Sequence, residues 1–284
     1  MGDVTRRSTD RLDDSRGPAG APDGAAPGRA ATTRRSGDAV WVDLAGELPR
    51  GFLSEALVER LQLVVEGDTQ ARAIVVESRG DTFCMGLDPG LLTDDGGATA
   101  VGQRGRALLE RFGRLLRAIE CAPCPVIAVV NGPAAGGGVA VAAAADVVIT
   151  TSRATFALPE TLLGIVPALA FPVLARRIGV PRARWMAISG ITVDANDAMR
   201  LGLADMVVDD PEVVIGRCLQ RLARLDARSM AAVKMLATVH RAEDATYESA
   251  ALSTFVRLLE SAETQARLRR FVTGLAPWSE DEGV

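Results

Sequence analysis

The chain has 284 residues, 48% of them hydrophobic and 4% aromatic, with a formal net charge of −4. That length suits one large domain or two small ones with an ample core, while the acidic balance and scarce aromatics argue against a general nucleic-acid surface. No apolar run is long enough to span a bilayer, the N-terminus has no apolar signal core, and four cysteines without framework spacing fit a reducing cytoplasm.

Residues 1–37 are rich in Gly, Ala, Pro, Arg and Asp and are expected to form a disordered tail, because they have too little apolar surface to offset the entropy of ordering. Order is expected from the alternating strand Ala39–Leu44. Ser54 is placed to cap a helix running to about Glu66, and 73–78 has the pattern of a buried strand. The turn Phe83-Cys84-Met85-Gly86-Leu87-Asp88 follows it. Residues 91–102 show little pattern and read as a mobile loop, with a helix from about Arg104 to Glu120. Cys121-Ala122-Pro123-Cys124 is a lone C-x-x-C pair that lacks the partners of a zinc site and reads as packing before a strand.

Val126–Val130 is a second buried strand. It leads into Asn131-Gly132-Pro133-Ala134-Ala135-Gly136-Gly137-Gly138, an alanine-rich helix and a third strand at 147–150. This alternation implies crossovers and parallel pairing, an α/β fold. Beyond about residue 170 the pattern is mostly helical: 182–189, 195–201, 213–225, 229–241 and one long segment over 247–272. Several apolar helical faces there point to a homo-oligomer. His240 reads as a packing or solvated residue.

Two glycine-rich turns that each follow a strand can aim two backbone N–H groups at one oxygen. Such a pair stabilises an enolate formed beside a carbonyl, with roughly 3 kcal/mol per donor seen in other systems. Glycine permits the close approach, and a helix beginning after it adds unpaired N–H groups. The triple glycine could equally serve only tight helix packing. Glu160 is the one carboxylate between Arg153 and Ala168 and is set among Leu158, Leu162, Leu163 and Ile165. A carboxylate in apolar surroundings exchanges protons near neutrality, although the residue after Pro159 could also be an N-terminal helix acid pointing to water. Asp88 is expected to fix its turn, and Cys84 to pack.

These motifs resemble the crotonase (enoyl-CoA hydratase/isomerase) superfamily over about residues 39–278: Phe-Cys-x-Gly-x-Asp at 83–88, Pro-Val-Ile-Ala-Val-Val-Asn-Gly at 125–132, Ala-Gly-Gly-Gly at 135–138, and Phe-Ala-Leu-Pro-Glu-Thr-Leu-Leu-Gly-Ile-Val-Pro at 156–167. The resemblance implies a ββα spiral core over 38–200, a helical trimerisation region over 201–284, and trimers or pairs of trimers. It assigns the oxyanion donors to the N–H groups of Leu87 and Gly137, the acid/base to Glu160, an adenine contact to the Met85 carbonyl, and further substrate contacts to Gly86, Gly136, Ala140 and Leu163. It implies no metal and no cofactor beyond the phosphopantetheine or coenzyme A that carries the acyl group.

The departures from the family pattern are informative. Ala140 stands where hydratases hold a first glutamate, and no lysine lies in 269–278. A narrower group, the crotonase-like dehydratases of polyketide β-branching, is similar in the 83–88 turn, in the 165–179 run, in Leu222-Ala223-Arg224-Leu225-Asp226 and in the ending at 271–278. That likeness implies conversion of a 3-hydroxy-3-methylglutaryl thioester on an acyl carrier protein to the 3-methylglutaconyl thioester. A Δ3,Δ2-enoyl isomerase, a methylglutaconyl decarboxylase and a non-catalytic oligomeric partner remain alternatives.

Overall fold

The computed structural model describes residues 33–45, 51–67, 70–93, 96–238 and 244–278. Residues 1–32 of the expected tail, 94–95 of the expected loop, and His240 lie outside the described residues.

The first sheet begins with β1 (Thr33–Ser36) and β2 (Ala39–Asp43), which pair antiparallel. β1 falls inside the stretch expected to be tail. Its Thr-Arg-Arg-Ser sequence has no alternation to read. It pairs through its backbone, and Arg34 lies 4.0 Å over the Trp41 ring. Parallel to β2 run β3 (Ala73–Glu77), β4 (Val126–Val130), β6 (Val147–Thr150) and β9 (Met206–Val207), in the order β1-β2-β3-β4-β6-β9. The register places Val40 beside Ile74, Ile74 beside Val126, and Ala128 beside Val148. A second, three-stranded sheet consists of β5 (Pro133–Ala135), β7 (Thr155–Ala157) and β8 (Val193–Asp194). The chain therefore moves from β4 in the first sheet to β5 in the second, through α3 (Gly137–Ala144), and back to β6.

Strand residues alternate between the two faces of the main sheet. Val40, Val42, Ile74, Val76 and Ala128 join a large core beneath α1 (Glu55–Gly67) and α2 (Ala98–Cys121). Ala39, Trp41, Val75, Ile127 and Ile149 meet Ile215 of α7 (Pro211–Leu222) on the other face. Burial on both faces accounts for the unbroken apolar runs of β3 and β4.

Ser54 caps α1 as expected, its hydroxyl accepting from the Leu57 amide at 3.0 Å. Ser54→Ala should cost about 1 kcal/mol, read by urea unfolding.

α2 starts at Ala98, inside the expected loop. Gly102 reads as a loop residue and Gly105 as a poor helix former, but both are buried contact points. A Cβ on Gly105 would lie 2.4 Å from Leu259 of α9 (Asp244–Leu259), and one on Gly102 would lie 2.1 Å from Glu260 Oε1. Close packing of α9 on α2 thus outweighs the poor helix propensity of glycine. The expected single helix over 247–272 is broken after α9. Ser261 starts α10 (Ala262–Val272), its hydroxyl accepting from the Thr264 amide at 3.2 Å. The remaining helices are α4 (Ala170–Ile178), α5 (Val180–Ser189), α6 (Ala195–Leu201) and α8 (Ala227–Thr238). No helix among the described residues is long and apolar enough to cross a membrane.

Candidate active site

The two glycine-rich turns are joined by backbone hydrogen bonds. The Phe83 and Cys84 amides donate to the Pro133 carbonyl at 3.0 and 3.2 Å, and the Ala135 amide donates to the Cys84 carbonyl at 2.9 Å. The first turn is also tied to the segment before α1, where the Met85 amide donates to Gly51 O at 2.8 Å and the Leu53 amide to Gly86 O at 2.7 Å. Gly86 has φ +83°, the left-handed region that glycine adopts without penalty. A Cβ there would also sit 2.7 Å from the Gly137 nitrogen. The backbones of the two turns are therefore in contact at Gly86 and Gly137.

Leu87 and Gly137 both line one cavity of about 110 Å³. Neither amide donates to an acceptor among the described residues. For Gly137 the reason is its place at the first turn of α3, where no intrahelical acceptor exists. Leu87 and Gly137, whose N–H groups have no acceptor among the described residues, thus line the cavity from the two turns.

Glu160 borders the same cavity. It opens a 3₁₀ turn (Glu160–Leu163) that follows Pro159 and closes at Gly164. Neighbouring helices hold this turn in place. The Thr161 hydroxyl donates to Ala187 O of α5 at 3.0 Å, and the Thr264 hydroxyl of α10 donates to Gly164 O at 3.0 Å. Glu160 Oε2 is buried without a hydrogen-bond partner among the described residues. A Cβ on Gly136 would lie 2.9 Å from Glu160 Oε1, which puts the carboxylate against the start of α3. Burial raises the Glu160 pKa from its ordinary 4.5 to about 7, an effect its own backbone amide only partly offsets. Glu160 is thus a half-buried acid with one carboxylate oxygen fully enclosed, and that enclosure suits it to exchange protons near neutrality.

Of the other expected contacts, Met85, Gly136 and Leu163 line the cavity. Gly86 does not. It lies behind the wall, shaping it through its contact with Gly137. Ala140 is a correction: it is fully buried and is not among the lining residues. It sits one turn into α3, its amide bonded to Gly136 O at 3.2 Å, and its methyl group packs in the main core. Gly138 has a purely steric role, since a Cβ there would lie 1.9 Å from the Cys84 carbonyl oxygen. Asp88 fixes its turn, accepting from the Gly90 amide at 2.8 Å. Burial pushes the Cys84 thiol up to about 12, so it is an inert packing group. Cys121 is exposed and Cys124 buried, and neither is in a disulfide.

Sequence reasoning did not find the rest of the wall. Leu109 and Phe112 come from α2, Phe255 from α9, Phe271 from α10, and Ile165 to Ala170 from the chain after the 3₁₀ turn. In sequence these are ordinary apolar helix positions, with nothing local to set them apart from core.

A family model described as enoyl-CoA hydratase/isomerase matches residues 52–281. A probable enoyl-CoA hydratase of Rhodobacter capsulatus is 41% identical over 142 residues, and the match covers 50% of this chain and 53% of that protein, about half its length. The bacillaene synthase dehydratase PksH of Bacillus subtilis is 26% identical over 231 residues, covering 80% of this chain and 88% of that one. Among solved structures, a putative polyketide biosynthesis enoyl-CoA hydratase (pksH) from Bacillus subtilis has a TM-score of 0.76 at 22% identity, covering 86% of this chain and 97% of the other, a likeness of fold. A putative enoyl-CoA hydratase from Mycobacterium avium paratuberculosis has a TM-score of 0.75 at 26% identity, covering 88% and 100%. With four-fifths of its length matched by one model and its two turns joined around one cavity, the chain belongs to the enoyl-CoA hydratase/isomerase family.

Proposed function

We propose that this protein is a dehydratase that removes water from a 3-hydroxyacyl thioester, with Glu160 as the single acid/base and the Leu87 and Gly137 amides as oxyanion donors. The observation that carries the reading is Glu160, whose Oε2 is buried without a hydrogen-bond partner among the described residues, on the cavity that Leu87 and Gly137 also line. As a carboxylate, Glu160 takes the α-proton, and the electron pair moves onto the thioester oxygen between the two amides. The enolate then reforms the carbonyl, the double bond forms between Cα and Cβ, and the Cβ–O bond breaks. Glu160 returns its proton to the departing hydroxyl, so one water leaves and the carboxylate is restored. A syn elimination lets one acid serve both steps. A tertiary alcohol eases the second step, because the extra alkyl group stabilises positive charge developing at Cβ.

The substrate we assign within this class is 3-hydroxy-3-methylglutaryl on the phosphopantetheine arm of an acyl carrier protein, giving 3-methylglutaconyl, as in polyketide β-branching. Two facts support it: alanine at 140 in place of a second carboxylate, and the relative named a bacillaene synthase dehydratase. In this reading the Met85 carbonyl and the Gly136 and Leu163 walls receive the thioester arm. The working protein is a homotrimer or a pair of trimers, to which the exposed Trp185, Ile188 and Met199 side chains are suited.

The test is the intact mass of a carrier protein loaded with the hydroxymethylglutaryl group. Loss of one water is the expected result, and an unchanged mass overturns the reading. The wholly apolar lining apart from Glu160 favours a second reading, a Δ3,Δ2-enoyl isomerase acting on a hydrocarbon chain. That activity leaves mass unchanged and is followed by NMR of a 3-enoyl thioester.

A further inference from the structure

A glutaryl-type acyl group ends in a carboxylate, yet no lysine or arginine lies among the residues lining the Glu160 cavity. A second carboxylate inside it would face Glu160 across a few ångströms of low-dielectric space, where like charges repel strongly. The distal acid must therefore leave the cavity and meet a cation outside it.

Two grooves that share residues with the cavity carry arginines: one, reached past Leu169, holds Arg117 and Arg176, and the other holds Arg184. Val166, Pro167 and Ala168 line the Glu160 cavity and also the second groove. Thr161, the residue after Glu160 in the same 3₁₀ turn, lines that groove, so the groove begins one residue from the base. The rest of it is mostly apolar, from α4, α5 and α9, with Arg184 of α5 as its one cationic side chain. Arg184 is exposed and forms no hydrogen bond or ion pair with the described residues. The arginines of the other groove are committed elsewhere, Arg117 to Glu248 at 2.7 Å and Arg176 to Glu120 at 2.8 Å. Tyr247, which stacks on Phe171 with ring centroids 6.5 Å apart, adds a phenol to the groove.

We propose that Arg184 receives the distal carboxylate of a dicarboxylic acyl thioester whose Cα lies at Glu160, with the Val166–Ala168 segment as the ridge that the acyl chain crosses. The proposal rests on the dehydratase reading and narrows it to substrates with an acidic far end. The terminal carboxyl carbon of a five-carbon acyl chain lies within roughly 5 Å of Cα, so the proposal requires the long Arg184 side chain to reach back over the shared ridge to meet it. The planar guanidinium matches a carboxylate with two parallel hydrogen bonds, which lysine cannot reproduce. Arg184 is thus a specificity-determining residue that takes no part in proton transfer.

The experiment compares carrier-bound 3-hydroxy-3-methylglutaryl with 3-hydroxy-3-methylbutyryl, the same tertiary alcohol without the acid, using the full-length protein and its Arg184→Gln and Arg184→Lys variants. The readout is the ratio of kcat/KM for the acidic substrate to that for the neutral one, followed by intact mass. Losing a hydrogen-bonded charge pair should lower this ratio about 10- to 100-fold in Arg184→Gln, with partial recovery in Arg184→Lys. A ratio equal to wild type overturns the proposal. So does an equal loss on both substrates, which would mark a structural role for Arg184. If wild type dehydrates the neutral substrate better than the acidic one, the Arg184 assignment falls while dehydration stands. If it dehydrates neither, the dehydratase reading falls and takes the proposal with it.

Discussion

Glu160→Gln should lower turnover by at least 10²–10⁴-fold, the range a positioned general base contributes, while leaving the folded state and carrier binding intact. Glutamine keeps the shape of the acid and cannot accept the α-proton. With no second acid or base among the cavity-lining residues, nothing replaces it. Steady-state rates on the loaded carrier protein check this, and near-normal turnover would remove Glu160 from the mechanism. The pH dependence is a second check. The reaction starts from the carboxylate form, so wild-type kcat/KM should rise with pH through about 7, the value to which burial pushes Glu160.

The same shift affects stability, with a definite sign. Between its ordinary 4.5 and about 7, Glu160 holds its proton in the folded state and loses it in the unfolded state. Its contribution is therefore fully present below 4.5, declines as pH rises to about 7 and is level above that. The size of the decline is about 2–3 kcal/mol, allowing for partial solvation of the residue. Glu160→Gln should lack this decline, so its stability relative to wild type should improve from pH 4.5 to 8 in urea titrations. A constant difference across that range would mean that the carboxylate is not buried.

Gly138→Ala should be among the most destabilising single changes in the chain. Its Cβ would sit 1.9 Å from the Cys84 carbonyl oxygen, far inside van der Waals contact. That oxygen cannot move aside, because it accepts the Ala135 amide that joins the two turns. The expected cost is about 3 kcal/mol or more, at the upper end of overpacking effects, and a fall in melting temperature of roughly 10 °C. Gly136→Ala is strained in a different way, because φ +51° is a conformation that L side chains rarely adopt and its Cβ would also press on Glu160 Oε1 at 2.9 Å, so it should lose turnover and stability together. Equal melting temperatures for wild type and Gly138→Ala would contradict the packing seen here.

Sequence and structure agree wherever the signal is local. The runs 73–77 and 126–130 are buried strands, Ser54 caps its helix, Asp88 closes its turn, and Ala195–Leu201 is a helix. They depart where contacts distant in sequence override local preference. Gly102 looks like a loop residue and Gly105 like a weak spot in a helix, yet they let α9 approach α2. The 33–36 segment has no pattern, yet it is held by β2. Ala140 stands at the expected position in the motif but packs in the core and does not line the cavity.

By itself the sequence determined the two glycine turns, the apolar setting of Glu160 and the α/β alternation, because turn chemistry, residue polarity and hydrophobic period are local properties. Only the tertiary structure decided that Gly86 and Gly137 touch, that Glu160 Oε2 is left without a partner, and that α2, α9 and α10 supply the far wall of the cavity. Those facts depend on which helix covers which turn. Close packing of side chains far apart in the chain settles that, and no window of residues encodes it.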